Sequence, residues 1–331
     1  MSEGVPVTRA AVIGTGVIGA GWAALFLARG LDVTAWDPAV AAEERLRGDV
    51  AAMWPVLTRL GLAEGASQDR LTFATSVADA VAEADVAQES GPEVLEPKQA
   101  LIAEIDAAAP AHAVIASSSS GQLPSDLQRT CGHHPERVLV GHPFSPAHLV
   151  PLVEVVPGRR TDPDVADRAL AFYRALGKRP ILVRQELPGH VTNRLQVALW
   201  REAYALVQRG AATVADIDAA IANGPGLRWA LLGPLVNQHL GGGAGGMAHV
   251  LEPSRAAGRG VDERPVADAP SHARSRPQAG RRRRRGAGRC RPGRARRRTR
   301  RAPRGAPRAE AGARPGVSRG GRTGRRTTVR R

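Results

Sequence analysis

Residues 10–19 read Ala-Ala-Val-Ile-Gly-Thr-Gly-Val-Ile-Gly, a short apolar run that passes directly into the pattern G-x-G-x-x-G. A lone match to this pattern is weak. Here, however, it follows a predicted strand and opens a predicted helix, and Asp37 ends the next strand 18 residues after Gly19. Gly14 permits a tight turn, Gly16 lets backbone approach a pyrophosphate, and Gly19 allows close packing of helix on strand. This context indicates a dinucleotide-binding unit; the alternative is a glycine turn without a ligand.

Asp37 also bears on which dinucleotide is bound. A carboxylate at the end of the second strand accepts hydrogen bonds from a ribose and repels a 2′-phosphate. The start of the helix after Gly16 offers free N–H groups and a partial positive charge to the phosphates. The sequence therefore predicts NAD, rather than NADP, as the cofactor.

Short apolar runs alternate with helical patterns up to about residue 187. The predicted strands are residues 10–13, 33–36, 71–74, 86–88, 113–116, 138–141, 152–156 and 181–183. Most of these runs lack polar alternation, which favours a parallel sheet buried on both faces. We therefore predict an α/β fold, with a Rossmann-type, mostly parallel sheet in an NAD-binding domain of residues 1–187.

Strand patterns stop after Pro188, and helical patterns take over. Helices are predicted over residues 191–208, 214–222 and 227–240, the second opened by Thr213 with Asp216 three residues later, an acidic variant of the capping box. We predict a second, all-α domain over residues 188–252. Because it spans only about 65 residues, it is small for an independent core and is interpreted as truncated.

The last 79 residues differ sharply in composition from the rest. Residues 253–331 contain 27 arginines, no lysine and four acidic residues, a net charge of +23, whereas residues 1–252 carry a net charge of −7. This segment has no aromatic residue, leucine, isoleucine or methionine, so it cannot bury enough apolar surface to form a domain. We predict a disordered Arg-rich tail, and the composition excludes a basic globular nucleic-acid binder.

The remaining composition narrows the protein class further. Two cysteines, Cys131 and Cys290, are too few for a disulfide framework or a zinc site, so no metal is expected. No apolar run approaches the ~20 residues of a membrane span, and the N-terminal residues lack a signal peptide. We expect a cytoplasmic protein with no membrane partner.

His142 and Glu154 form the first candidate catalytic pair. His142 follows the predicted strand 138–141, and Glu154 interrupts the apolar run 152–156. A carboxylate inside such a run needs a partner, because burying it alone is costly. A His–Glu pair suits a general base oriented by the carboxylate. Alternatively, Glu154 pairs with an arginine and His142 is an ordinary turn residue.

Polar residues at strand ends and within apolar surroundings are further candidates. The serines at 117–120 follow a predicted strand, where ligands bind in open α/β sheets, and their hydroxyls can contact a substrate oxygen or the nicotinamide amide; Ser118 is assigned to the cofactor. A simple polar turn is the alternative. Asn193 and Arg228 are each uninformative when taken alone.

Five ordered motifs resemble the 3-hydroxyacyl-CoA dehydrogenase family. They are AAVIGTGVIGAGW, ASSSSGQLPSDL, GHPFSPAHLVPLVEVVPG, PGHVTNRLQVALWREA and GPGLRWALLGP, spread over residues 8 to about 252. The chain looks most similar to the branch that contains lambda-crystallin/L-gulonate 3-dehydrogenase and carnitine 3-dehydrogenase. The resemblance implies NAD-dependent oxidation of a 3-hydroxyl group, and a homodimer in intact family members, which is doubtful for a truncated second domain.

The resemblance also implies roles for individual residues. His142 would be the general base and Glu154 its partner, while Ser120 and Asn193 would hold the reacting oxygen. The implied cofactor contacts are Asp37 on the adenosine ribose, Val17 and Ile18 at the phosphate turn, and Glu93 and Lys98 beside the nicotinamide half.

Arg228 bears on substrate choice, because a guanidinium suits a free carboxylate, which a CoA thioester lacks at that position. We therefore expect a small gulonate- or carnitine-like 3-hydroxy acid and no specific nucleic acid. A structural ion pair is the alternative role for Arg228. Two departures from the family, Ser145 for the usual Asn and His190 for the usual Phe, put full activity in question. The alternative functions are a 3-hydroxyacyl-CoA dehydrogenase and a catalytically impaired NAD-binding or structural relative.

The tail also fits a frameshift. When residues 253–265, PSRAAGRGVDERP, are read from the second base of each codon, suitable codon choices yield HLGPPAEGWMNDL. This slipped sequence resembles the continuation in related proteins. We hypothesise that the tail is a frameshift product, real or from a sequencing error. The alternative is a true basic tail, which would bind nucleic acid or acidic membrane only non-specifically.

Overall fold

The computed structural model describes the backbone of residues 7–256 and the side chains of residues 7–252. Eight strands form one sheet: β1 (Arg9–Ile13), β2 (Asp32–Trp36), β3 (Leu71–Phe73), β4 (Val86–Glu89), β5 (Val114–Ser117), β6 (Val138–Pro143), β7 (Leu152–Pro157) and β8 (Arg179–Leu182). Each strand begins and ends within two residues of the apolar run that predicts it. Apolar run length therefore locates these buried strands well.

The order of strands across the sheet is β3-β2-β1-β4-β5-β6-β7-β8. All neighbouring pairs are parallel except β6 and β7, which are antiparallel. The first six strands have the doubly wound order, in which ligands bind beyond the carboxyl ends where the strand order reverses, here between β1 and β4. The predicted Rossmann-type, mostly parallel sheet is confirmed.

Helices cover both faces of this sheet. They are α1 (Val17–Ala28), α2 (Ala42–Leu60), α3 (Val77–Val81), α4 (Leu95–Ala108), α5 (Pro124–Leu127) and α6 (Pro163–Ala175). On one face, Trp22 and Phe26 of α1 stack at 5.4 Å between ring centroids and pack near Tyr173 of α6. On the other face, Ile102 and Ile105 of α4 are fully buried.

The remaining elements are all helices. They are α7 (Thr192–Gln208), α8 (Val214–Asn223), α9 (Pro225–Leu232), α10 (Pro234–Gly241) and α11 (Gly246–Ala256). Thr213 and Asp216 form the predicted capping box at the start of α8. The single helix predicted over residues 227–240 is wrong. Gly233 has φ +75° and Pro234 occupies the first position of a new helix, so α9 and α10 are separate.

The all-α region buries few of its apolar side chains within the described part of the chain. None of the side chains of α7, α8, α9 and α10 is fully buried, and Leu231 is 82% exposed. None of the helices among residues 7–256 has both the length and the apolar character that crossing a membrane requires. The predicted tail begins at residue 253, but α11 continues to Ala256, so the first four residues of the tail are helical. The rest of the predicted tail, from residue 257 onward, lies outside the described residues.

Candidate active site

The glycine turn between β1 and α1 has the shape that a pyrophosphate needs. Gly14 has φ +91°, and a Cβ there would lie 2.8 Å from the backbone of Ser90. A Cβ at Gly19 would collide with the carbonyl oxygen of Gly14, whereas the space beside Gly16 is open. No side chain caps the N-terminus of α1. The first-turn N–H groups and the open side of Gly16 therefore fit the phosphates of NAD.

Asp37 is attached to this turn by two hydrogen bonds. The backbone N–H of Thr15 donates to Oδ2 at 2.8 Å, and that of Ala39 donates to Oδ1 at 2.9 Å. The carboxylate therefore lies just past the end of β2, next to the glycine turn, as the sequence predicts. Val17, at the first position of α1, is 75% exposed at the same edge, and Ile18 is partly buried against the core.

Glu93 organises the serine turn after β5. Its Oε1 accepts hydrogen bonds from Ser119 Oγ at 2.6 Å and from the backbone N–H groups of Ser120 and Gly121, both at 3.0 Å. Burial would raise the pKa of Glu93, but the Ser119 hydroxyl and the charge of Lys98 hold that pKa below its usual range. Glu93 therefore stays ionised and fixes the backbone that presents Ser120.

Lys98 is buried beneath Glu93. Its Nζ donates to Glu89 Oε1 at 2.9 Å and to the Gly91 carbonyl at 3.1 Å, and it lies 3.5 Å from Glu93 Oε2. Ser117 Oγ donates to the other oxygen of Glu89 at 2.5 Å. The structure thus brings the predicted pair Glu93 and Lys98 together. Glu89 is not among the residues predicted from the sequence, although a carboxylate in an apolar strand is the same signal that identifies Glu154.

Ser118 belongs to a second polar network, which joins the end of β5 to β4 and α1. Its Oγ accepts from Trp22 Nε1 at 3.2 Å and from Gln88 Nε2 at 2.9 Å, and lies 2.9 Å from Ser90 Oγ. Tyr173 donates its hydroxyl to Gln88 Oε1 at 2.7 Å, and burial raises the pKa of Tyr173. These contacts tie Ser118 to the core; its contact with the cofactor remains a prediction.

His142 and Glu154 are direct partners. His142 lies within β6, not after it as expected, because the strand continues to Pro143 in order to pair with β7. In that antiparallel pair His142 is opposite Glu154, and Nδ1 lies 2.8 Å from Oε2, with both side chains buried. No arginine contacts Glu154 among the described residues. The geometry shows the predicted contact of His142 with Glu154 and not the alternative arginine pairing; the catalytic role of the pair remains a prediction.

The second oxygen of Glu154 accepts from the start of α7. The backbone N–H groups of Val191 and Thr192 lie 3.1 and 2.8 Å from Oε1, and Thr192 Oγ1 donates to it at 3.0 Å. Burial would raise the pKa of Glu154, but the hydrogen bonds from His142 and Thr192 hold that pKa below its usual range. Sequence reasoning misses Thr192, because its role depends on a contact 38 residues away in the chain.

The residues around Thr192 join this pair to the serine turn. His190 is fully buried with φ +52°, its Nε2 lies 3.1 Å from the Ser119 carbonyl, and its ring centroid is 5.4 Å from that of His142. Burial lowers the pKa of His190. Asn193 Nδ2 donates to the Ser120 carbonyl at 2.9 Å. The predicted residues Ser120 and Asn193 therefore meet beside the His–Glu pair.

Two further residues singled out in the sequence, Ser145 and Arg228, form no hydrogen bond to this cluster among the described residues. Ser145 is exposed just after β6, and no hydrogen bond of its side chain is found among the described residues. Arg228 is exposed on α9, and no hydrogen bond or ion pair joins its guanidinium to another described side chain. The structure therefore leaves the charge of Arg228 unpaired within residues 7–252, and its role in holding a carboxylate remains a prediction.

Two family models match the chain. The model for the NAD binding domain of 3-hydroxyacyl-CoA dehydrogenase matches residues 9–187, and the model for the C-terminal domain of 3-hydroxyacyl-CoA dehydrogenase matches residues 189–279.

Individual proteins agree with these matches. The L-carnitine dehydrogenase of Streptomyces griseus subsp. griseus is 58% identical over 246 residues, which are 74% of this chain and 73% of that protein. The L-carnitine dehydrogenase of Streptomyces coelicolor is 56% identical and covers 74% of this chain and 77% of its own. A solved NAD+-dependent dismutase, 5-formyl-3-hydroxy-2-methylpyridine 4-carboxylic acid 5-dehydrogenase, matches with TM-score 0.70 and 32% identity over 76% of this chain and 81% of that one. With its glycine turn and sheet order, this chain belongs to the 3-hydroxyacyl-CoA dehydrogenase family and is an NAD-dependent oxidoreductase.

Proposed function

We propose that this enzyme oxidises the 3-hydroxyl group of L-carnitine or a closely similar 3-hydroxy acid. The observation that carries the proposal is the buried His142–Glu154 pair, with 2.8 Å between Nδ1 and Oε2, next to Ser120 and Asn193. Relatives named L-carnitine dehydrogenase at 58% and 56% identity favour carnitine over gulonate and over acyl-CoA substrates.

In the proposed mechanism, His142 is the general base. A carboxylate can only accept, so Glu154 fixes the tautomer in which Nδ1 of His142 carries the proton. Nε2 is then free to remove the proton of the substrate hydroxyl, and Glu154 stabilises the imidazolium that forms. Bound NAD supplies the hydride acceptor. Ser120 and Asn193 are proposed to hold the reacting oxygen, which keeps the hydroxyl within reach of the base.

The carboxylate of the substrate is proposed to be recognised through its charge. We infer that Arg228 binds the substrate carboxylate, since its guanidinium can form two parallel hydrogen bonds to such a group. We also infer a cytoplasmic enzyme whose partners are small molecules and which binds no specific nucleic acid. A homodimer remains a prediction for this chain, and light scattering of the purified protein measures it directly.

An assay of NADH formation tests the function. L-carnitine, L-gulonate and a 3-hydroxyacyl-CoA are compared, and we expect the highest kcat/KM with L-carnitine. His142→Ala should lower kcat by about 10³-fold, the usual scale of a general base, while NAD binding is retained. The matched control is His134→Ala, since His134 forms an exposed pair with Glu136. Full activity of His142→Ala, or a clear preference for the acyl-CoA, would overturn the proposal.

A further inference from the structure

The first turn of α7 contacts the half of Glu154 that His142 does not use. We propose that Thr192 is a positioning residue that sets the base strength of His142 through the Glu154 carboxylate. This inference rests on the proposed function, because it concerns the same base.

The two oxygens of Glu154 have separate partners. Oε2 faces His142 Nδ1 at 2.8 Å, whereas Oε1 accepts three donors from Val191 and Thr192 at 2.8 to 3.1 Å. Two of these donors are backbone N–H groups, which come with the helix itself. The third is the Thr192 hydroxyl, which is the one donor that a side-chain substitution can remove.

These donors act on His142 through the charge of the carboxylate. A nearby negative charge favours the protonated form of an imidazole, yet a general base must be neutral before it can accept a proton. Each donor on Oε1 draws negative charge away from Oε2 and so weakens the pull on the His142 ring. The Thr192 hydroxyl therefore reduces the electrostatic stabilisation that Glu154 gives to the protonated His142 ring.

The surroundings contain few charges that could mask this effect. On β6 the facing titratable group is His142 itself, and on β8 the register partner of Glu154 is the apolar Ile181. His190, in the turn before α7, is buried, which disfavours its charged form, and beyond it lies the ionised Glu93. No lysine or arginine contacts Glu154 within the described residues. The three neutral donors on Oε1 are therefore the groups that modulate how strongly the Glu154 charge acts on His142.

The experiment compares Thr192→Val, which removes the hydroxyl at nearly constant volume, with Thr192→Ser, which keeps it. The titration of the His142 ring is followed by nitrogen-15 NMR of the full chain, and the pH profile of kcat/KM is measured with NAD and L-carnitine. In Thr192→Val we expect the NMR midpoint and the acid limb of the profile to move about half a pH unit upward. In Thr192→Ser both should stay at the wild-type pH.

Other outcomes would overturn the proposal. An unmoved midpoint in a folded Thr192→Val protein, or a loss of rate that is equal at every pH, would make Thr192 merely structural. If Thr192→Val does not fold, Thr192→Ala provides the same comparison. Because NMR needs no turnover, a wild-type protein that oxidises none of the substrates would contradict the proposed function without deciding the Thr192 inference.

Discussion

Nδ1 of His142 lies 2.8 Å from Oε2 of Glu154, and the two residues are register partners across the one antiparallel pair of the described sheet. Direct partners in such a pair place their side chains on the same face, about 5 Å apart at Cβ. The other strand pairs of this sheet are parallel. The antiparallel pairing of β6 with β7 therefore holds the proposed base and its carboxylate on paired strands rather than on loops.

Glu154→Gln tests the charge of this pair separately from its shape. The amide keeps the side-chain volume but cannot stabilise the imidazolium, so we expect kcat/KM to fall by about 10²-fold. Without the negative charge the remaining acid limb should move to lower pH. Steady-state rates between about pH 6 and 10 measure both effects. Glu136→Gln, in the exposed pair with His134, is the control; an unchanged rate in Glu154→Gln would remove Glu154 from the mechanism.

Lys178 should make stability depend on pH in the alkaline range. Its Nζ donates to the carbonyls of Ala147 and Val150, in the segment that follows β6. Burial and then the charge of Arg29 lower the pKa of Lys178 to about 8. The unfolded chain therefore binds more protons than the folded one between this pKa and the usual value of 10.5. The contribution of Lys178 to the free energy of unfolding must then rise with pH across that window.

Urea unfolding of wild type and Lys178→Met measures this dependence. The difference in free energy of unfolding should shift by about 1 to 2 kcal/mol in favour of the wild type between about pH 7.5 and 10, after allowance for solvent screening. Arg179→Met, an exposed neighbour at the start of β8, should show no such change. If the difference falls with pH, the folded protein favours the charged form of Lys178, and the prediction is wrong.

Short apolar runs predict the sheet well, because a strand that is buried on both faces needs continuous apolar residues. They fail where the outcome depends on a distant or local backbone constraint. The extension of β6 to Pro143 needs β7 as a partner, and the break between α9 and α10 follows from Gly233 and Pro234. The length of an apolar run does not indicate which strands pair, and it does not show that a single Gly-Pro step separates two helices.

For the site, polar residues in apolar surroundings were the useful signal. It identified Glu154 and His142, and the resemblance added Glu93 and Lys98. It does not identify Thr192, whose role comes from a hydrogen bond to a carboxylate 38 residues away in the chain. Glu89 ends a short, buried strand and carries the same signal as Glu154, but it is not among the predicted residues. A threonine at the start of a helix is ordinary in sequence, and only the fold shows which carboxylate it contacts.

Asp37 should control the choice between NAD and NADP. Asp37→Asn removes the charge that repels a 2′-phosphate and places an amide N–H near the donors of Thr15 and Ala39. We expect kcat/KM with NAD to fall about tenfold and the preference for NAD over NADP to narrow. Asp32→Asn, at the other end of β2 and paired with Arg70, should leave both cofactors unchanged. Retained discrimination in Asp37→Asn would place the specificity elsewhere.

The Arg-rich tail is expected to disappear on resequencing. We propose that DNA spanning the codons for residues 249–275 contains a missing or extra base, and that its correction restores HLGPPAEGWMNDL after Glu252. The corrected protein should then show higher solubility and NADH formation than the chain with the Arg-rich tail. If the present frame is confirmed in independent clones, the tail is real. Its salt-dependent binding to nucleic acid can then be compared with that of a variant in which the arginines of 281–285 are replaced by serine.

The proposed role of Arg228, on α9, in binding the substrate carboxylate can be tested by substitution. Arg228→Met should raise KM for L-carnitine about 10- to 100-fold and change kcat less than about threefold, because the contact is made equally in ground and transition state. Arg228→Lys should lie between, since an ammonium keeps the charge but not the bidentate geometry. Arg209→Met, exposed at the end of α7, is the control. A rise in KM that is confined to substrates with a free carboxylate would assign Arg228 to that group; an equal KM in all four proteins would mean that another residue holds it.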